Sequence, residues 1–194
     1  MDPPAVEGLK HDGLDVNIDA LVVGVRHAFS SAKSQLTPEQ QHQTLAGLQK
    51  EMTDKVVAQR MVAGEMAKTE GEEFLAANKA KDGVKTLSCG LQYQIISEGN
   101  GPQPKETDQV TVNYRGTLVD GTEFDSSYKR GVTATFPVNG MMKGWGEVLP
   151  LMMTGAKRQL FVPASMAYGE QRADRDIPPN VTLVFKIELL SAKS

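Results

Sequence analysis

The residue pattern of the chain changes near Lys85, and this change limits the fold more than any other feature of the sequence. Before it, long stretches of Ala, Glu, Lys, Gln, Met and Leu favour helix. After it, apolar residues recur at every second position, as in Val110, Val112 and Tyr114, which is typical of strands. At 194 residues the chain can form one large or two small domains. We therefore predict an α+β protein with a helical domain over 1–87 and a sheet domain over 88–194.

A long helix is expected to begin at Thr37-Pro38-Glu39-Gln40. This tetrapeptide combines a capping hydroxyl, a proline at the first helical position and a glutamine that can return a hydrogen bond to the cap. No proline follows until Pro102, and apolar residues recur at helical spacing from Leu45 to Val56. A helix over about 38–80 would be a rod of roughly 60 Å, too long to be buried. We expect its first half to pack on a short helix over 18–29 or on a partner chain, and its second half to be a solvated spacer.

The second part of the chain predicts an antiparallel sheet of about five strands wrapped on one short helix. Turn signals separate the strand-like runs, and Asp120-Gly121 between two of them indicates a hairpin. The short helix is expected between Trp145 and Met153, where Pro150 limits its length. The predicted strands cover 91–97, 110–118, 133–138, 157–162 and 182–190.

Most familiar catalytic chemistries find no support in the sequence. It contains no phosphate-binding glycine loop, no metalloprotease motif, no nucleophile elbow and no calcium-binding loop. The single cysteine excludes an internal disulfide, and no histidine has a partner at metal-ligand spacing. A net charge of −3 is not that of a nucleic-acid-binding protein, and no run is long enough to span a membrane. We expect no cofactor, no metal, no nucleic acid and no membrane span.

An apolar and largely aromatic set dispersed over the sheet domain is the most informative chemical feature. Each of its residues, taken alone, is better explained as part of a hydrophobic core. Trp145 and Tyr168, however, adjoin glycines near loops, where a ring can face a cavity. Aromatic walls with a few polar groups are typical of a site for a small apolar ligand. The set comprises Tyr114, Phe124, Phe136, Trp145, Tyr168, Ile177 and Phe185.

The order of several motifs resembles one known family. The segments VTVNYRGTLVDGTEFDSSYKRG (110–131), GMMKGW (140–145), VPASMAYG (162–169) and IPPNVTLVFKIELL (177–190) are similar to those of FKBP-type peptidyl-prolyl cis-trans isomerases. The match covers about 88–191. The helical part and the joining segment GLQYQII resemble the macrophage infectivity potentiator branch of bacterial FKBPs. For that branch the resemblance implies a V-shaped homodimer formed through the amino-terminal helices.

The resemblance also implies a role for individual residues. Trp145 would form the floor under a proline ring, with Tyr114, Phe124 and Phe185 as walls. The Tyr168 hydroxyl and the Met142 backbone N–H would bind substrate carbonyls, and Asp125, held by Arg130 or Tyr114, would supply the polar side. The implied catalytic residues are Asp125, Tyr168, Trp145 and Phe124, and the implied substrate-binding residues are Tyr114, Arg130, Met141, Met142, Ile177 and Phe185.

The implied activity is rotation of X-Pro amide bonds in folding proteins, with tacrolimus and rapamycin as inhibitors. The main alternative is a chaperone or proline-segment-binding module that uses the same pocket without turnover. A third hypothesis is a dimeric envelope or virulence factor in which the activity of the pocket is secondary. The branch is largely periplasmic or surface-associated, whereas the start MDPPAVEG has no signal peptide pattern. We expect a trimmed envelope protein, or a cytoplasmic one if Met1 is the natural start.

The sequence departs from the family pattern in several places. Ala134 stands where many members have an aromatic wall residue, and Met141 and Met142 replace branched aliphatic residues. The stretch 170–176 carries five charges where relatives have small, apolar residues. The opening helix of the dimerising domain is not recognisable before Leu9. We expect a looser pocket near Ala134 and an altered substrate preference near 170–176.

Overall fold

A computed structural model describes residues 36–170 and 177–193, together with 22–24 and 26. Residues 22–24 and 26 are helical, and the rest of the helix predicted over 18–29 lies outside the described residues. The chain divides into two compact units, Met1–Gln59 and Arg60–Ser194. The domain boundary predicted between residues 87 and 88 stays a prediction.

The long helix, α1, spans Pro38–Asn78 and ends two residues before the predicted position. Its amino terminus has the predicted capping arrangement. The Gln40 N–H donates to Thr37 Oγ1 at 3.2 Å, and the Thr37 N–H donates to Gln40 Oε1 at 2.9 Å. These reciprocal hydrogen bonds satisfy backbone donors that an uncapped helix would leave free.

The sheet contains seven strands among the described residues, not the five predicted. The strands are β1 Val84–Thr86, β2 Gln92–Ser97, β3 Gln109–Thr117, β4 Glu123–Ser126, β5 Ala134–Pro137, β6 Lys157–Val162 and β7 Leu183–Lys193. Their order is β1-β2-β6-β7-β3-β4, and β5 also pairs with β3. All pairings are antiparallel. The two additional strands, β1 and β4, have three and four residues, too few for an alternating pattern to show.

The predicted hairpin at Asp120-Gly121 is confirmed between β3 and β4. Gly121 has a φ of 90°, which its lack of a side chain permits, and its N–H donates to the Leu118 carbonyl at 3.1 Å. A short helix, α2, follows β4 at Ser127–Arg130. The hairpin and α2 together bring Asp125 and Arg130 beside β3.

The predicted short helix, α3, spans Lys143–Val148, so it begins two residues before Trp145. A 3-10 turn over Leu149–Leu151 then includes Pro150, which stands near the start of the turn and needs no backbone donor there. α3 lies on the sheet, and Trp145, Val148 and Leu149 are buried in the same core as residues of β3, β6 and β7.

The second half of α1 is not a wholly solvated spacer as predicted. Its charged residues are exposed, but Gly64, Ala67, Gly71 and Asn78 are buried. Asn78 Nδ2 donates to Gln92 Oε1 at 3.0 Å, and the Phe74 and Phe161 ring centroids lie 5.8 Å apart. The four buried residues are small or polar, so no strong apolar stripe in the sequence indicated this face of the helix.

Candidate active site

Trp145 forms the centre of an aromatic cluster on the sheet. Its side chain is 1% exposed, and its ring centroid lies 5.3 Å from Tyr114, 5.4 Å from Phe136 and 5.2 Å from Phe185. The planes of Tyr114 and Phe185 stand nearly perpendicular to the indole, at 80° and 89°. Edge-to-face pairs of this kind fix ring positions because they match the positive edge of one ring to the face of the other. The indole is therefore held by three neighbours from three strands.

Phe124 extends the aromatic cluster through its contact with Phe185. Their ring centroids lie 5.7 Å apart at 90°. Gly116 on β3 makes this arrangement possible, because a Cβ there would lie 2.6 Å from Phe124 Cζ and 2.9 Å from Phe185 Cε1. Gly116 was not among the predicted site residues. Its position within a strand, where glycine is unfavourable, was the signal for a close approach.

Gly144, which precedes Trp145, also permits a close approach between two elements. A Cβ at this position would lie 2.6 Å from Val162 Cγ1 and 3.0 Å from Leu91 Cδ1. The absence of a side chain lets α3 lie close to β6. Phe136 was also absent from the predicted site residues, although it belonged to the aromatic set that the sequence indicates.

The remaining apolar candidates belong to the same packed cluster. Ile177 is buried, and Met141 and Met142 are half-buried against the core. Ala134 on β5 also packs there, as a small side chain where a ring was expected from the family pattern. Of the charged stretch 170–176, only Glu170 lies within the described residues, where it is exposed.

A polar network lies at one side of the aromatic cluster. The Tyr114 hydroxyl donates to Asp125 Oδ2 at 2.5 Å, and Arg130 donates to Asp125 Oδ1. Arg130 Nη2 also donates to the Tyr114 hydroxyl at 2.8 Å, and its guanidinium carbon lies 5.5 Å from the Tyr114 ring centroid. Asp125 is therefore held by both of the partners that were considered from the sequence.

Ser127 connects this network to the backbone of β3. The Tyr114 N–H donates to Ser127 Oγ at 2.9 Å, and the hydroxyl of Ser127 donates to Asn113 Oδ1 at 3.1 Å. Ser127 is buried at the start of α2, and Arg130 ends the same helix. One turn of helix thus links the backbone of β3 to the guanidinium that binds Asp125.

The two tyrosines of the site are held in their protonated form. Burial raises the pKa of Tyr114, and its hydrogen bond to Asp125 raises it further. Burial also raises the pKa of Tyr168, with a smaller contribution from the charge of Asp125. The Tyr168 side chain remains 40% exposed. Both phenols are hydrogen-bond donors at neutral pH.

The described part of the chain contains no group of three or more His, Cys, Asp or Glu side chains that could hold a metal ion. None of its helices is long and apolar enough to cross a membrane. The notable site is the aromatic cluster around Trp145, with the Asp125 carboxylate, the Arg130 guanidinium and the Tyr114 phenol at one side. Aromatic rings with a few polar groups beside them are typical of proteins that bind a small apolar ring.

Comparisons with known proteins identify the class. Residues 101–190 match the family model of the FKBP-type peptidyl-prolyl cis-trans isomerases, and residues 5–95 match the model of the domain amino-terminal to that isomerase. The chain belongs to the FKBP-type peptidyl-prolyl cis-trans isomerase family, and its activity is the cis-trans isomerisation of prolyl peptide bonds.

Individual relatives match over nearly the whole chain. The outer membrane protein MIP of Legionella longbeachae is 44% identical over 187 residues, which is 96% of this chain and 80% of that protein. The 22 kDa FKBP-type isomerase of Escherichia coli is 44% identical over 172 residues, covering 89% of this chain and 82% of that one. The crystal structure of FkpA from Escherichia coli matches with a TM-score of 0.81 at 37% identity, over 98% of this chain and 88% of the other. These matches confirm the resemblance drawn from the motifs.

Proposed function

We propose that the aromatic cluster around Trp145 lines a pocket that catalyses prolyl isomerisation by binding the twisted amide better than the planar one. The observation that supports this most directly is the ring cluster itself, in which Trp145 contacts Tyr114 and Phe185 and the Tyr114 phenol donates to Asp125. The proline ring would lie on Trp145, with Phe124, Phe185 and Tyr114 as walls. Ile177, Met141 and Met142 would complete the apolar lining.

The chemistry of the reaction fits such a site. Rotation about a prolyl bond breaks no covalent bond, but it removes the resonance that makes the amide planar, at a cost of roughly 18 to 20 kcal/mol without a catalyst. The planar amide is more charge-separated than the twisted one, so a dry pocket disfavours the ground state relative to the transition state. Such catalysis requires no nucleophile and no metal ion.

The polar groups would orient the substrate. The Met142 N–H stands just before α3 and makes no hydrogen bond within the described part of the chain, so it is available for a substrate carbonyl. The Tyr168 hydroxyl would bind a second carbonyl. Asp125 would act at the side of the proline ring, with its charge held in place by Tyr114 and Arg130.

The test of this assignment uses Trp145, the only tryptophan of the chain, as its own reporter. Isomerisation of a prolyl tetrapeptide is measured with and without rapamycin, and binding of rapamycin is followed by Trp145 fluorescence. Phe124→Leu should lower kcat/KM and weaken rapamycin binding together, because Phe124 is half-buried against Phe185. Phe74→Leu is the matched control, since Phe74 pairs with Phe161 on the α1 side of the sheet. Equal activities of the two variants would contradict the pocket assignment.

We further propose that the physiological substrates are folding proteins. Uncatalysed prolyl isomerisation takes tens to hundreds of seconds and limits the folding of many chains. A refolding assay with a protein whose slow phase is a prolyl isomerisation tests this. Acceleration of that phase that Phe124→Leu reduces would support catalysis, and suppression of aggregation without acceleration would support a chaperone role instead.

A homodimer is the proposed assembly. The match of 5–95 to the amino-terminal family domain supports it, as does the exposure of Leu45, Leu48, Val56 and Val57 on α1. Apolar side chains exposed along one helix are more typical of an interface than of a solvated surface. Sedimentation of the full chain should give twice the monomer mass, and Leu48→Glu should shift it towards the monomer.

For the location we propose the bacterial cell envelope. The similarity to a relative named as an outer membrane protein supports this, together with the branch that the motifs resemble. Fractionation of the native producing cells, with detection of the chain by antibody, would decide between the envelope and the cytoplasm.

A further inference from the structure

The carboxyl-terminal part of α1 contacts the chain segment that supports Tyr168. Gly64, Ala67 and Gly71 follow one another at spacings of three and four, so they lie on one face of the helix, and all three are buried. We infer that this face is a positioning element for the isomerase site, which it reaches through Pro179–Thr182. The inference rests on the proposed role of Tyr168 as a donor to the substrate.

The contact at Gly71 is so close that any side chain there would require Thr182 to move. A Cβ at this position would lie 2.3 Å from Thr182 Oγ1 and 3.0 Å from Thr182 Cβ. The shorter distance is more than 1 Å below the 3.4 Å at which ordinary contact begins. Gly64 makes a milder approach, with a Cβ position 3.0 Å from Pro179 Cγ. The helix therefore rests directly on both ends of the segment 179–182.

A short run of hydrogen bonds connects this segment to Tyr168. The Asn180 N–H donates to the Gly169 carbonyl at 2.8 Å, and the Gly169 N–H donates to the Ala164 carbonyl at 2.8 Å. Asn180 has a φ of 59°, a left-handed conformation that asparagine tolerates better than most residues. Tyr168 immediately precedes Gly169. A displacement of Thr182 or Pro179 is thus passed to the backbone of Tyr168 through the bond between Asn180 and Gly169.

The helix itself is fixed near its end. Asn78 Nδ2 donates to Gln92 Oε1 at 3.0 Å, and Gln92 Nε2 donates to the Leu75 carbonyl at 2.8 Å. Asn78 and Gln92 are both buried, so breaking these bonds would leave polar groups without water. α1 cannot move away from a new methyl group at Gly71 without disturbing this anchor. The strain is therefore expected to fall on Thr182 and the segment that holds Tyr168.

The test introduces the methyl group and measures catalysis. Gly71→Ala should lower kcat/KM for a prolyl tetrapeptide about three- to tenfold, the effect of weakening one neutral hydrogen bond. Gly47→Ala is the matched control, because nothing lies within 4 Å of a Cβ there and both changes raise helix propensity equally. It should leave kcat/KM unchanged. Thr182→Ala removes the nearest atom and should restore part of the activity of Gly71→Ala.

A double-mutant cycle with Tyr168→Phe separates positioning from general destabilisation. If Gly71 acts through the hydroxyl, Gly71→Ala should change kcat/KM less than twofold in the Tyr168→Phe background. An equal loss in both backgrounds, or wild-type activity of folded Gly71→Ala, would overturn the inference. Should Gly71→Ala not fold, Gly64→Ala with its longer contact undergoes the same comparison. Tyr168→Phe with full activity would instead refute the donor role of Tyr168, and the inference with it.

Discussion

Replacing Asp125 by asparagine tests the polar side of the pocket with the least change of shape. The carboxylate accepts hydrogen bonds from the Tyr114 hydroxyl and from Arg130. Asparagine keeps the size and one acceptor oxygen but removes the charge. A hydrogen bond to a charged acceptor contributes about 1 kcal/mol more than one to a neutral acceptor. Loss of that amount from the transition state corresponds to about a fivefold reduction of kcat/KM.

The fold should tolerate this change. The Asp125 and Arg130 side chains are 36% and 48% exposed, and ion pairs between such exposed groups contribute little to stability. The melting temperature should therefore remain within about 4 °C of the wild type. The activity loss can then be attributed to the site and not to unfolding.

Glu123→Gln is the control for this experiment. Glu123 lies on the same strand, two residues from Asp125, and pairs with Arg115 and Lys129 instead of the pocket residues. Both variants remove one negative charge from β4. We expect Glu123→Gln to retain wild-type kcat/KM and rapamycin affinity in the tetrapeptide assay. If the two variants show the same kcat/KM, the charge of Asp125 has no specific role and the reasoning fails.

Three further predictions concern the rings, the phenols and the anchor of α1. Trp145→Leu should lower the free energy of unfolding by about 3 kcal/mol, measured by urea denaturation, because a buried ring with three aromatic neighbours is lost; a loss below about 1 kcal/mol would contradict the packing described. The pKa values of Tyr114 and Tyr168 are raised above the usual value of about 10, which favours the protonated phenols in the folded state. The contribution of these two phenols to stability is therefore present at neutral pH and is lost only as the pH rises through their folded-state pKa values. The pH profile of kcat/KM should accordingly be flat from about pH 6 to about pH 9, and a step near pH 6.5 would point to a histidine that the site lacks. Asn78→Ala leaves the buried Gln92 Oε1 without its donor and should cost about 1–3 kcal/mol in the same denaturation experiment. An unchanged midpoint would show that the anchor is unimportant.

Short-range signals in the sequence determined the elements that depend on local chemistry. The start of α1 follows from Thr37, Pro38 and Gln40, whose hydrogen bonds form within one turn. The β3–β4 hairpin follows from Asp120-Gly121, because a glycine at positive φ defines the turn wherever it occurs. The order of motifs around the aromatic residues was equally sufficient to identify the isomerase family.

Only the tertiary structure decided how distant segments meet. β1 and β4 are too short to show a pattern, and only their pairing with the adjacent strands β2 and β3 makes them strands. The joint hold of Tyr114 and Arg130 on Asp125 likewise depends on the placement of α2 against β3. From the sequence alone, Gly71 is a residue that lowers helix stability. In the fold, it is the position at which α1 lies against Thr182. The physical reason is the same in each case: a contact between segments depends on both partners, and the sequence near one of them carries no record of the other.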